Sequence, residues 1–171
     1  MLFRSVNLYA LILAGAGGIS GIRKNGYKAG LSFGDGTMLG EAIAAVSGLR
    51  EVVEIVVVGD ESLLSPVERA RVGQVLEPKG TLFTNLELGF SAIPEGGKVL
   101  VIASDLPLIT TEACRDFLKQ CGQREAEVYY PVIPKEDYEQ SFPGSERTYL
   151  RLKDQTFTGG NLVLMKKSFF Q

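Results

Sequence analysis

Histidine is absent from this chain, and cysteine occurs only at Cys114 and Cys121. Without histidine, Ser-His-Asp and Cys-His nucleophilic machinery is excluded. A zinc site built from ordinary ligands is excluded too. The two cysteines have no activating partner in sequence, so they read as reduced residues in or near a helix rather than as nucleophiles. Their scarcity fits a reducing, cytoplasmic setting. Lys and Arg form no block and the net charge is −2. Nucleic-acid binding, which needs clustered cations, is not expected. No apolar run is long enough to cross a bilayer, and no membrane partner is expected. The opening MLFRSVNLYALILAGAGG superficially looks like a signal peptide. Its apolar run is short and interrupted, and it leads straight into glycines, so it reads as a strand. The Gly-Lys-Ser/Thr of the Walker loop and the tight G-x-G-x-x-G turn of dinucleotide folds are both missing.

What is present is an ordinary globular mix. The 171 residues are 45% hydrophobic and 22% charged, enough for one full core. Strands are expected at 8–13, 52–58, 98–103, around 126–133 with Pro131 interrupting, and at 162–165. A short strand is expected at 73–76, and another at 149–152. Helices are expected at 38–48, capped by Thr37, at 81–92, and near 111–120, capped by Thr110 or Thr111. The stretch 61–72 reads as a short helix or turn, and the polar stretch 134–146 as an excursion. Strand and helix alternate, which predicts an α/β fold: a mostly parallel sheet covered on both faces, in three layers. The chain stops soon after its last strand, at KKSFFQ. A last sheet edge without a covering helix is unusual, so the expectation is a single domain over 1–171 that is a fragment or ordered part of a longer protein.

The chain is organised around residues 8–33. A buried strand runs into Ala14, Gly15, Ala16, Gly17 and Gly18, and Arg23, Lys24 and Lys28 follow. Amides freed by such a turn can point at an anion, and a lysine can reach it as a point charge. A plain glycine loop with solvated cations fits the same pattern. Asp105 lies just past the end of the strand 98–103, where open α/β sheets place ligands. A carboxylate there can hold Mg²⁺ together with substrate phosphates, or it can cap the turn before Pro107. Gly159, Gly160 and Asn161 precede the last strand. The asparagine can donate to a substrate oxygen or ligate a metal, or simply occupy a turn. Asp60 ends another strand. Gly80, Thr81 and Asn85 can line a base or ribose pocket, or form a turn and helix cap.

Together these pieces resemble the nucleotidyltransferases with the glycosyltransferase-A-type fold. These are the MobA-like (molybdenum-cofactor guanylyltransferase-like) and sugar-phosphate nucleotidyltransferases. The resemblance rests on LILAGAGG, Arg23, Lys28 with Leu31 and Phe33 behind it, Asp-Gly-Thr-Met-Leu, ASDLPLIT at 103–110 and TFTGGNLVLM at 156–165, and it spans about 9–166. It implies phosphate contacts from Ala14 through Gly18, with Ala16 standing where glycine is common. It implies catalytic roles for Lys28, Arg23 and Asp105, and a base pocket at Gly80, Thr81 and Asn85. Asp105 and Asn161 would hold Mg²⁺. The implied reaction moves a nucleoside monophosphate from an NTP to a phosphorylated small-molecule acceptor, releasing pyrophosphate. Two alternatives share the fold: a glycosyltransferase using a sugar nucleotide, and a nucleotide-binding module without catalysis. Asp105 is followed by Leu106 and Pro107, not by the second Asp of the Asp-x-Asp pair usual in glycosyltransferases, which favours the first reading.

Overall fold

The structure, a computed structural model, describes residues 7–15 and 28–170. In chain order the strands and helices are β1 (Leu8–Leu13), β2 (Ser32–Phe33), β3 (Gly36–Thr37), α1 (Met38–Ser47), β4 (Val52–Val58), α2 (Pro66–Arg69), β5 (Gln74–Leu76), α3 (Leu82–Ser91), β6 (Lys98–Ala103), α4 (Thr111–Cys121), β7 (Val128–Tyr129), β8 (Val132–Pro134), α5 (Lys135–Ser141), β9 (Leu150–Arg151), β10 (Thr156–Gly159) and β11 (Leu162–Lys166). Single 3-10 turns occur at Lys28–Gly30, Glu61–Leu63 and Lys167–Phe170.

The main sheet has six strands in the order β5-β4-β1-β6-β11-β7. The first four are parallel; β11 runs antiparallel to both β6 and β7. Alternation along β1 sorts the core. Leu8, Ala10 and Ile12 point to the face covered by α1 and α4, where Ile43, Val46, Cys114 and Leu118 are buried. Tyr9 and Leu11 point to the opposite face, where Phe90 of α3 is buried with Val56, Val58, Val99 and Val101. Burying each large apolar side chain contributes roughly 1.5–3 kcal/mol, so strands covered on both faces read as continuous apolar runs. This explains why VVEIVVV and KVLVIA are recognisable at sight.

Caps end and start the helices as local chemistry requires. Thr37 Oγ1 accepts from Gly40 N at 3.0 Å, and Thr110 Oγ1 from Ala113 N at 3.1 Å. Thr81 and Thr84 form a reciprocal capping box at the start of α3.

One expectation changes and three regions gain structure. The final strand is not an edge, because β11 lies between β6 and β7; the argument from an uncovered last edge therefore falls. The region 156–159 pairs as β10 in a second, three-stranded sheet, β8-β10-β9. The polar excursion after Pro134 contains α5. Ser32–Phe33 forms a small hairpin with Gly36–Thr37 about the Gly34-Asp35-Gly36 turn, where Gly34 has φ +55°.

Candidate functional site

The parallel strands end side by side, and their exits are tied together. Ala14 N donates to Val58 O at 2.8 Å, Ser104 N to Leu13 O at 3.1 Å, and Gly59 N to Leu76 O at 2.9 Å. Residues following β1 and β6 are thereby held on one rim. Against that rim lies a cavity of about 160 Å³, lined by Leu13, Ala14, Gly15, Lys28, Ala103, Ser104, Asp105 and, from α3, Leu82 and Asn85, with Ala29 completing it.

Lys28 reaches the rim through the 3-10 turn. Ala29 is buried in the core beside α1, and Leu31 N donates to Lys28 O at 3.0 Å. This leaves the Lys28 side chain at the surface, 4.0 Å from Asp105 Oδ2, with both side chains a little under half exposed. A charge in that setting is accessible to an incoming anion, and the carboxylate is accessible to a cation.

Gly15 is required by a close approach. A Cβ there would sit 2.3 Å from Pro78 Cβ and 3.3 Å from Val58 O. Pro78 belongs to the turn leading into α3, and Asn85 holds that same turn. Asn85 is 2% exposed, and its Oδ1 accepts from Lys79 N at 2.6 Å. With its acceptor turned to the backbone, Asn85 both fixes the turn and lines the cavity. Gly80 has φ +77°, which only glycine adopts without strain. Thr81 serves as the α3 cap, and its neighbour Thr84 Oγ donates to Lys79 O.

The structure thus brings together Ala14, Gly15, Lys28, Asn85 and Asp105 from the expected set. Gly80 and Thr81 shape the turn beside the cavity without lining it. Asn161 lies one residue before β11, and its main-chain oxygen accepts from Ala103 N at 3.3 Å. That places its backbone next to the end of β6, two residues from Asp105, although its side chain does not line the cavity. Asp60 belongs elsewhere. It borders a separate acidic cavity with Glu61 and Glu77, and the hydroxyl and N–H of Ser62 hold its carboxyl below the ordinary range. Ala16, Gly17, Gly18, Arg23 and Lys24 lie outside the described residues. Sequence reasoning missed Leu82 and Ser104 as lining residues. Ser104, 6% exposed, had a signal: it directly precedes Asp105 at a strand end.

Among the described residues no group of three or more His, Cys, Asp or Glu side chains could hold a metal ion. The donor set nevertheless suits Mg²⁺. That ion takes one or two protein carboxylates and completes its shell with water and substrate phosphates, and Asp105 is one accessible carboxylate in a cavity that Lys28 also lines.

The MobA-like NTP transferase domain matches residues 10–170. A hypothetical transferase from Thermus thermophilus is 33% identical and superimposes with a TM-score of 0.70 over 94% of this chain. The chain spans 66% of that protein's length. The 4-diphosphocytidyl-2C-methyl-D-erythritol synthase of Anaerococcus prevotii matches with a TM-score of 0.67 at 14% identity, over 96% of this chain and 71% of its own. A CMP:2-keto-3-deoxy-manno-octonic acid synthetase complexed with CTP gives 0.66 at 14% identity, over 96% and 76%. The last two share the fold. No curated protein matches the sequence significantly.

Proposed function

This chain belongs to the MobA-like NTP transferase domain family, and from that premise we propose that it transfers a nucleoside monophosphate from an NTP to a phosphorylated small-molecule acceptor. The observation that carries the reading is the meeting of Lys28 and Asp105, 4.0 Å apart, at the mouth of a cavity formed by the ends of β1 and β6 and the first turn of α3.

In the proposed reaction an acceptor phosphate oxygen attacks the α-phosphorus. A phosphoanhydride bond to the acceptor forms, the bond to the β-phosphate oxygen breaks, and pyrophosphate leaves with that electron pair. The acceptor phosphate is already ionised near neutral pH, so no side chain need remove a proton. The chain's work is then positioning and charge stabilisation. Lys28 neutralises charge on the phosphates, together with Arg23. Amides of Ala14 through Gly18 bind phosphate oxygens. Asn85 and the turn at Gly80 and Thr81 hold the base or ribose. Asp105, joined by Asn161, would hold Mg²⁺, which supplies Lewis-acid charge stabilisation when bound.

The test is pyrophosphate release from each NTP across a panel of sugar phosphates and related acceptors, with and without Mg²⁺. One NTP is expected to be preferred, and Asp105→Asn is expected to abolish release. Wild-type turnover by that variant would sink the assignment. Donor-dependent turnover of a sugar nucleotide would establish the glycosyltransferase instead, and NTP binding without release on every acceptor would establish the binding module.

A further inference from the structure

We propose that the 3-10 turn Lys167–Phe170 is a clamp on α3, and that Lys167 and Phe170 are positioning residues for the nucleotide; the second half rests on the function proposed above. Lys167 is a charged residue only 8% exposed. Burying an ammonium is costly unless its donors are satisfied. Here Nζ donates to the carbonyl of Phe90 in the last turn of α3, and it lies 3.6 Å from Glu95 Oε1. The carbonyl end of a helix carries partial negative charge, so a cation is favourable there. The backbone of Lys167 is tied as well, its N–H donating to Gly97 O at 2.9 Å.

Phe170 completes the grip. Its ring stacks on Phe90, with centroids 4.6 Å apart and planes 19° apart, and meets Phe83 at 5.5 Å. Phe83 and Phe90 are seven residues apart and share one helix face. One ring therefore bridges the first and last turns of α3. α3 also lies close against β1, where a Cβ on Gly89 would be 2.4 Å from Leu11 Cδ1, and Phe90 is buried in the same cluster as Leu11. Sheet and clamp together hold the helix. Its first turn carries Leu82 and Asn85, which line the cavity opposite Lys28 and Asp105. The clamp thus sets where that wall of the cavity stands, without touching the cavity itself.

Two measurements on the full chain test this. In Phe170→Ala, amide exchange in the first turn of α3 should accelerate relative to α4, with or without nucleotide. The KM for the preferred NTP should rise about fivefold, the size expected for a lost ring stack, while kcat stays within about twofold. Lys167→Met should act in the same direction, and Lys167→Arg, which keeps the charge, should restore KM. Leu118→Ala, which loosens α4 on the opposite face, should lower thermal stability without moving KM. Phe170→Leu, which keeps apolar contact but loses the stack, replaces the alanine variant if that one does not fold. Unchanged α3 exchange in the Phe170 variant overturns the clamp. Faster exchange with an unchanged KM overturns the positioning role. A wild-type chain that turns over no NTP defeats the proposed function and the positioning role with it, while exchange in α3 still decides the clamp.

Discussion

Lys28 Nζ stands 4.0 Å from Asp105 Oδ2 across the open ends of β1 and β6, with both groups a little under half exposed. A pair so wet and so long contributes under about 1 kcal/mol to stability. Its placement is therefore better accounted for by charge presented at a ligand cavity than by holding the fold. Removing Lys28 should separate the two roles. Lys28→Ala should keep its unfolding free energy within about 1 kcal/mol of wild type yet lose about a hundredfold in kcat for pyrophosphate release. Urea denaturation and single-turnover kinetics on the same samples check both halves. A stable variant with normal turnover would remove Lys28 from the reaction.

Asn85 should show the opposite balance. Its buried side chain accepts from Lys79 N and lines the cavity. Asn85→Ala should cost about 1–2 kcal/mol through the lost hydrogen bond and loosen the turn before α3. Nucleotide affinity should fall while the effect of Asp105→Asn is retained. Denaturation reads the first effect, and calorimetric titration of the preferred NTP the second.

Gly89 tests how closely α3 sits on the sheet. A Cβ there would meet Leu11 Cδ1 at 2.4 Å, and Leu11 is fully buried. Alanine improves intrinsic helix propensity by about 1 kcal/mol, whereas overpacking a buried contact costs about 1–3 kcal/mol. The second effect should win, so Gly89→Ala lowers the melting temperature, and displacement of α3 raises the nucleotide KM. A more stable variant would mean that the helix is free to lift from β1.

The cysteines provide a pH signature. Burial pushes both thiols from 9.0 up to about 11, while in the unfolded chain they titrate near the ordinary value. The neutral thiol is favoured by the fold. The contribution to stability is thus fully present below pH 9 and is lost as pH rises from 9 through 11. Denaturation of the wild type and of a Cys114→Ala/Cys121→Ala variant across pH 8 to 11 should show the wild type losing more stability in that window. At pH 8 the native thiols should react with a thiol reagent about a hundredfold more slowly than in urea.

Much of the architecture was legible because its causes are local. The valine run of β4 and the apolar run of β6 declare strands buried on both faces. Thr37, Thr81 and Thr110 mark helix starts because a hydroxyl can satisfy an orphan amide wherever the chain turns into a helix. Asp105 was legible as a candidate because it follows a strand that must be buried. Asn161 was legible only as an asparagine after two glycines; its place beside β6 depends on a pairing that no local pattern states.

The sequence by itself determined the strand-helix alternation, the exclusion of histidine chemistry, and the position of Asp105 after a buried strand. Those follow from periodicity, composition and turn chemistry within a few residues. Only the tertiary structure decided that β11 inserts antiparallel between β6 and β7, that Lys28 meets Asp105, that Asn85 holds the turn at Lys79, and that Lys167 is buried against the end of α3. All but the Asn85 contact, which spans a single turn, join residues far apart in the chain. Such contacts are set by which faces can be buried together, and a local pattern carries no record of its distant partner.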